Sequence, residues 1–159
     1  MALDVFISHA HNDAQLARRV VNFLKLGVGV DDEIRCSSNM ANRFRFGGEL
    51  GEEIKRDLKR CKSFMPLLTE NSIGREWVMI EIACAWVLDK PIFPITAGLL
   101  QTTELPSLIE PLVRCDISNV DQLIALGVDM AREIYERYRP NAVELKGAAE
   151  DLASSIAAN

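Results

Sequence analysis

Glu81 is the residue of this sequence whose surroundings most clearly suggest chemistry. It lies within a nearly apolar run, residues 77–88, and four positions after Trp77. Side chains four residues apart share one face of a helix, so the carboxylate and the indole are expected to meet. A buried carboxylate is costly unless it is paired, protonated or functional. Either Glu81 pairs with an arginine or accepts a backbone donor at an exposed edge, or it faces a ligand crevice with Trp77 as its wall.

The other candidate residues near the N-terminus give weaker signals. His9 and His11 flank a loop, where such histidines more often bond to the backbone than catalyse. Ser8 lacks the order of histidine and carboxylate partners that a nucleophilic serine needs. The glycines at 27, 29, 47 and 48 lack the strand–glycine–helix context of a dinucleotide or phosphate-binding loop. Hydride transfer and NTP hydrolysis are therefore not indicated.

A basic and aromatic segment lies at residues 43–46. Arg43 and Arg45 alternate there with Phe44 and Phe46. Such a segment could hold a phosphate and stack a base, or it could be a solvated loop. The residues alone favour neither interpretation.

Composition narrows the class of protein. The 159 residues, 48% of them hydrophobic and 26% charged, are typical of one globular domain. A net charge of −5 argues against a general nucleic-acid binder. The apolar run at 77–88 is shorter than the roughly 18 residues of a membrane span, and no secretion signal begins the chain. Four widely spaced cysteines and two histidines predict free thiols in a cytoplasmic protein and no metal site.

Buried strands alternate with amphipathic helices along the chain. The pattern predicts strands at Leu3–Ser8, Glu33–Ser37, Ser63–Leu68, 91–95 and 113–117. Asn12 and Asn119 are expected to cap helices, and Gly27 to end the first one. Pro66 counts against a central position for the third strand, because proline donates no hydrogen bond. Residues 141–159 are expected to form a helix or a linker that leads to a domain absent from this chain.

This alternation predicts an α/β fold, a mostly parallel sheet with helices on both faces. Such sheets bind ligands beyond the carboxyl ends of their strands, where the strand order reverses. In a five-stranded flavodoxin-like order that point lies between the first and third strands. The loops at residues 8–11 and 69–72 would border it, and the second loop leads to the helix of Glu81.

At these residues the sequence resembles a TIR domain (Toll/interleukin-1 receptor homology), particularly the bacterial NAD-cleaving kind. The resemblance covers residues 3–138 and depends on five short motifs in a fixed order. These are DVFISHA at 4–10, GGEL at 47–50, LTENS at 68–72, WVMIE at 77–81 and PIFPI at 91–95. A Gly-Gly pair stands where the receptor branch has Pro-Gly, and the receptors' late Phe-Trp motif is absent.

The resemblance implies a three-layer flavodoxin-like fold with five parallel strands over residues 1–140. It implies that Glu81 is catalytic and that a nucleotide pocket is lined by further residues: Ser8, His9, Ala10, Arg43, Phe46 and Trp77. Residues 38–48 would gate the site and mediate assembly. NAD⁺ would be a substrate, so no cofactor is required.

Three functions remain open at this point. The first is an NAD⁺ hydrolase or cyclase that gives ADP-ribose or a cyclic isomer in bacterial antiphage immune signalling. The second is a non-catalytic TIR module that self-associates, fused to or bound by a sensor. The third is a related N-glycosidic transferase such as a nucleoside deoxyribosyltransferase. Neither nucleic acid nor a membrane is expected as a direct partner.

Overall fold

The fold is an α/β sandwich built on one sheet of five parallel strands. The computed structural model describes residues 3–37, 52–99, 103–136 and 138–157. The strands are β1 (Leu3–Ser8), β2 (Glu33–Ser37), β3 (Ser63–Leu68), β4 (Ile95–Thr96) and β5 (Cys115–Asp116). Their order across the sheet is β2-β1-β3-β4-β5, and every neighbouring pair is parallel. The predicted flavodoxin-like fold is confirmed.

In the described ranges, five α-helices connect and cover the strands. They are α1 (Ala14–Phe23), α2 (Glu52–Arg60), α3 (Glu76–Val87), α4 (Val120–Ile134) and α5 (Ala142–Ala157). A 3-10 turn, His11–Asp13, precedes α1, and a π-helical turn, Leu24–Val28, follows it. Among the described residues, no helix is both long and apolar enough to cross a membrane.

The first three strands begin and end where the sequence predicts, but the last two are shorter. β4 was expected at 91–95 and β5 at 113–117. Prolines at 91 and 94 interrupt the first of these segments, which leaves an isolated bridge between Phe64 and Ile92. Val113 is 93% exposed, so the fifth strand starts only after the chain has re-entered the core.

Pro66 lies in a central strand, so the expectation that it would exclude β3 from the middle of the sheet is wrong. The backbone groups of Phe64 and Leu68 form hydrogen bonds toward β4. Since alternate residues of a strand direct their backbone groups to the same side, Pro66 also directs its nitrogen there. At that point β3 and β4 are unpaired, between the bridge at Ile92 and the ladder that resumes at Leu67. The missing donor therefore breaks no ladder bond.

Helix termini match the sequence only in part. Asn119 caps α4, because its side chain accepts from the backbone N–H of Gln122 at 3.0 Å. Asn12 was expected to cap the first helix but lies within the 3-10 turn, and α1 begins two residues later. Gly27 was expected to end that helix; the left-handed residue is Gly29, with φ +82°. Only glycine adopts this conformation without strain.

The sheet separates two hydrophobic layers. Val5 and Ile7 of β1 face a cluster that includes α1, α4 and α5, whereas Leu3 and Phe6 face α2 and α3. All six residues of β1 are buried, as expected for a central parallel strand. The C-terminal helix α5 completes the first layer with Leu145, and Gly27 permits its close approach: a Cβ there would lie 2.7 Å from the Cβ of Ala148.

Candidate functional site

The candidate site lies where the strand order reverses. The chain crosses from β1 to β2 on one side and then to β3 on the other, so the carboxyl ends of β1 and β3 border a switch point. Ser8 is the last residue of β1 and pairs in register with Ser37 of β2 and Pro66 of β3. The loops that leave β1 and β3 enclose this position.

Glu81 lies against this end of β1. It is in the second turn of α3 and is only 1% exposed. The fully buried hydroxyl of Ser8 donates a hydrogen bond of 2.9 Å to Glu81 Oε1. The second oxygen, Oε2, is buried and accepts no hydrogen bond from the part of the chain that the structure describes. One carboxylate oxygen is thus held at β1, and the other retains an unused acceptor position.

The surroundings of Glu81 favour its protonated form. Burial raises the pKa of this carboxyl from 4.5 to about 8, because a charge in an apolar environment loses its hydration. The hydrogen bond from Ser8, the neighbouring polar groups of Ser37 and Trp77 and the positive charge of Arg35 lower the pKa but do not outweigh burial. Arg35 itself forms an ion pair with Asp57, at 2.8 Å. A buried carboxyl of this kind ionises readily when a cation binds beside it.

Trp77 and Glu81 share the inward face of α3. Trp77 is 8% exposed, and its proximity lowers the pKa of the Glu81 carboxyl. Helix α3 is apolar on nearly every side because it is packed between β3 and the segments that follow β4. The indole therefore forms one wall beside the carboxylate.

His9 and Ala10 form the loop after β1, and both are buried. His9 Nδ1 lies 2.7 Å from the carbonyl oxygen of Ala10. A carbonyl can only accept, so Nδ1 carries a hydrogen and donates it. The backbone N–H of His9 donates to Ser37 O at 3.0 Å. The histidine thus fixes the loop. Arg43 and Phe46 lie outside the described residues, as does the whole predicted gating segment at 38–48.

Sequence reasoning missed a polar bridge between the two loops. Asp13 accepts hydrogen bonds from Thr69 Oγ1 at 2.6 Å and from Asn71 Nδ2 at 2.9 Å. Thr69 and Asn71 belong to the LTENS motif, whose hydroxyl and amide side chains are typical of turns. The signal in the sequence was the carboxylate of Asp13, one residue after the expected cap Asn12. Nothing in its local sequence links it to Thr69 and Asn71, which follow it by 56 and 58 positions.

In the described part of the chain, thiols and carboxylates away from this site form no metal centre. Within the described ranges, no three histidine, cysteine, aspartate or glutamate side chains come together as a metal site would require. Cys61 and Cys115 are buried free thiols, and burial raises the pKa of the first to about 11 and of the second to about 12. Neither thiol is therefore an ionised nucleophile near neutral pH.

A family model of the TIR domain matches residues 5–127 of the chain. A curated relative from Cytobacillus dafuensis is 26% identical over 93 residues. Its name assigns it, by inference, the activity of a cyclic ADP-D-ribose synthase. That match covers 58% of this chain but 24% of the relative, so the chain spans about a quarter of the relative's length.

Two solved structures show the same fold. The TIR domain of the Toll-related receptor TRR-2 from Hydra magnipapillata has a TM-score of 0.57 and 17% identity, covering 83% of this chain and 98% of that one. A TIR-STING receptor from C. gigas, solved with 2′,3′-cGAMP, has a TM-score of 0.54 and 17% identity, covering 86% of this chain and 40% of that one. The resemblance inferred from the motifs is confirmed: this chain belongs to the TIR domain family.

Proposed function

We propose that this chain cleaves the nicotinamide–ribose bond of NAD⁺ and gives ADP-ribose or a cyclic ADP-ribose isomer. The observation that carries the proposal is the Glu81 carboxyl, buried at the switch point, held through Oε1 by Ser8 and free of hydrogen bonds from the described residues at Oε2. The relative named for cyclic ADP-D-ribose synthesis supports the same class of reaction.

One carboxylate suffices for this chemistry. When the bond between ribose C1′ and the pyridinium nitrogen breaks, the electron pair goes to nitrogen and nicotinamide leaves as a neutral molecule. Ordinary glycosidases need a second carboxyl because their leaving alkoxide must be protonated. Here the remaining task is to stabilise a cationic, oxocarbenium-like ribose, which a carboxylate in a low-dielectric site does electrostatically. Water, or a nucleophile of the same molecule, then attacks C1′ and loses its proton.

Substrate binding would itself ionise Glu81. Among the residues of the chain alone the carboxyl has a pKa of about 8 and is mostly protonated at neutral pH. The pyridinium ring of NAD⁺ carries a positive charge, and an opposite charge nearby favours the ionised carboxylate. The site therefore selects a substrate with a cationic leaving group and releases a proton when that substrate binds.

The remaining predicted pocket residues would contact the other parts of the substrate. Trp77 would pack against the nicotinamide or the ribose and exclude water. His9 and Ala10 would fix the loop over the nucleotide, and the segment with Arg43 and Phe46 would hold its phosphate and base. The roles of Arg43 and Phe46 are inferred from the family resemblance and from their residue types.

The biological setting is part of the proposal. We place the chain in bacterial antiphage immune signalling as a cytoplasmic TIR domain that self-associates and is fused to, or recruited by, a sensor. Residues 1–140 would form this domain, and the predicted helix or linker at 141–159 contains α5, which packs against it. The greater length of the Cytobacillus dafuensis relative supports a larger whole protein.

The test is nicotinamide release from NAD⁺ by concentrated protein. Glu81→Gln keeps the size of the side chain but removes its charge, and we expect release to fall roughly 100-fold or more, the scale of electrostatic stabilisation in enzyme sites. Glu76→Gln is the matched control, since Glu76 lies on the same helix but is exposed. Equal release by the wild type and Glu81→Gln would refute the catalytic assignment. Nucleobase exchange on deoxynucleosides would instead identify a transferase.

A second function, a non-catalytic assembly module, is favoured by a different observation. Trp86 and Val87, at the end of α3, are 66% and 70% exposed. Beside them lies an apolar groove of about 350 Å³ between α2 and α3, lined by Leu58 and Cys84 among others. Surfaces of this kind often bind other proteins. Concentration-dependent light scattering, with NAD⁺ left intact at every protein concentration, would establish this function in place of the first.

A further inference from the structure

Asp13 joins the two loops that enclose the candidate site. It ends the 3-10 turn after β1 and is only 7% exposed, which is unusual for an aspartate. Both of its oxygens accept hydrogen bonds from the loop after β3: Oδ2 from the Thr69 hydroxyl at 2.6 Å, and Oδ1 from the Asn71 amide at 2.9 Å. Hydrogen bonds to an ionised acceptor are short and roughly twice as strong as neutral ones.

The loop that Asp13 contacts has its own rigid frame. The Ser72 hydroxyl donates to Leu67 O at 2.7 Å and accepts from the Thr69 N–H at 2.8 Å. The Asn71 N–H donates to Thr69 Oγ1 at 3.1 Å, and the Arg75 N–H donates to Ser72 O at 3.0 Å. A displacement of the loop would therefore carry the start of α3 with it. Helix α3 begins at the next residue after this frame.

The bridge at Asp13 and the hydrogen bond between Ser8 and Glu81 connect the same two parts of the fold. Ser8 and Asp13 belong to β1 and the loop after it, whereas Thr69, Asn71 and Glu81 belong to the loop after β3 and to α3. We infer that Asp13 is a positioning residue for Glu81: by holding the start of α3 against the loop after β1, it keeps the carboxylate within hydrogen-bond reach of Ser8. Its kinetic consequence rests on the proposed function; its geometric consequence does not.

The charges around Glu81 allow this role to be separated from a simple electrostatic one. Arg35 on β2 acts on Glu81 through its charge, and the thiol of Cys84 on α3 is influenced by Glu81 in turn. Asp13 is not among the groups of the described chain that act on Glu81 directly. Loss of the negative charge of Asp13 would by itself lower the pKa of Glu81, because it removes a like charge. A rise in that pKa, or a change in Asn71→Ala, where the charge is kept, therefore reports the position of α3.

The experiment titrates the Glu81 carboxyl by ¹³C NMR and measures kcat and KM for nicotinamide release in the same variants. Asp13→Asn replaces one of the two acceptor oxygens by an amide donor, which must face either the Asn71 amide or the Thr69 hydroxyl, and it removes the charge that strengthens both bonds. Asn71→Ala removes one bond while the charge of Asp13 remains. The double exchange of Asp13→Asn with Asn71→Asp restores the donor and acceptor pairing with the two roles reversed. Because Asn71 is exposed, its substitution tests the inference even if Asp13→Asn does not fold.

A buried aspartate at the opposite end of β1 supplies the matched control. Asp4 is fully buried, pairs with Lys62 at 2.8 Å and accepts from the Tyr135 hydroxyl at 2.8 Å. Asp4→Asn should lower the urea midpoint, as Asp13→Asn does. It should leave the titration of Glu81 unchanged, because its contacts lie at the amino ends of the strands.

We expect Asp13→Asn and Asn71→Ala to raise the pKa of Glu81, since the hydrogen bond from Ser8 that lowers it is weakened. We expect kcat for Asp13→Asn to fall roughly 10- to 100-fold with KM nearly unchanged, the usual cost of a displaced catalytic group. The double exchange should restore both quantities. An unchanged Glu81 titration in the folded variants, or changes equal to those of Asp4→Asn, would overturn the inference. If even the wild type releases no nicotinamide, the proposed function fails, and the NMR titration alone decides the role of Asp13.

Discussion

Replacement of Glu81 by glutamine should change how the stability of the protein depends on pH. The carboxyl has an ordinary pKa of 4.5 in the unfolded chain and a pKa of about 8 in the folded protein, where it is buried. Between these values the unfolded state releases its proton while the folded state keeps it, so wild-type stability falls as pH rises. Glutamine does not titrate, so the variant lacks this loss.

The size of the effect follows from the two pKa values. Each tenfold change in proton affinity is worth about 1.4 kcal/mol, so the difference corresponds to roughly 5 kcal/mol of unfolding free energy. Urea denaturation from pH 4 to 9 measures it. The wild-type value minus that of Glu81→Gln should be constant below about pH 4.5, decrease up to about pH 8 and then level off. Parallel curves for the two proteins would refute the claim that this carboxyl is buried and protonated.

Two further predictions concern the contacts around the site and the fold that holds it. Ser8→Ala removes a hydrogen-bond donor that lowers the pKa of Glu81. The kcat/KM for nicotinamide release rises with pH as the carboxyl of the free enzyme ionises, so its pH profile should move to higher pH in this variant. An unmoved profile would contradict the 2.9 Å contact between Ser8 and Glu81. Gly29→Ala should lower the unfolding free energy by about 1–3 kcal/mol, because φ is +82° and an added Cβ would meet the Tyr138 hydroxyl; a urea midpoint equal to that of the wild type would count against this.

The parts of the fold that local pattern determines could be predicted from the sequence. β1 and β3 are runs of buried residues, and β2, in which only Ser37 is buried, still begins and ends where the pattern predicts. The capping residue Asn119 precedes α4 as its side-chain chemistry requires. The proximity of Trp77 and Glu81 follows from helical spacing alone. Each of these depends on residues a few positions apart.

The parts that depend on distant residues could not be predicted. Pro66 is tolerated because the segment beside it, between Ile92 and β4, is not paired with β3. That gap is explained by the prolines at 91 and 94, which belong to a different segment of the chain. The contact of Ser8 with Glu81 spans 73 residues, and the family motifs, not the spacing, suggested that both belong to one site. Asp13 appears in the sequence as an ordinary turn aspartate, and its two donors come from the loop after β3.

The central claim is that one buried carboxylate promotes loss of nicotinamide from NAD⁺. It is tested most directly by chromatography and mass spectrometry of NAD⁺ incubated with concentrated wild-type protein and with Glu81→Ala, in the absence and presence of formate. The wild type should release nicotinamide, together with an equal amount of either ADP-ribose or a cyclic isomer. Glu81→Ala should be inactive alone and regain part of the activity when formate supplies the missing charge. Intact NAD⁺ with the wild type at every protein concentration, or undiminished release by Glu81→Ala without formate, would contradict the account.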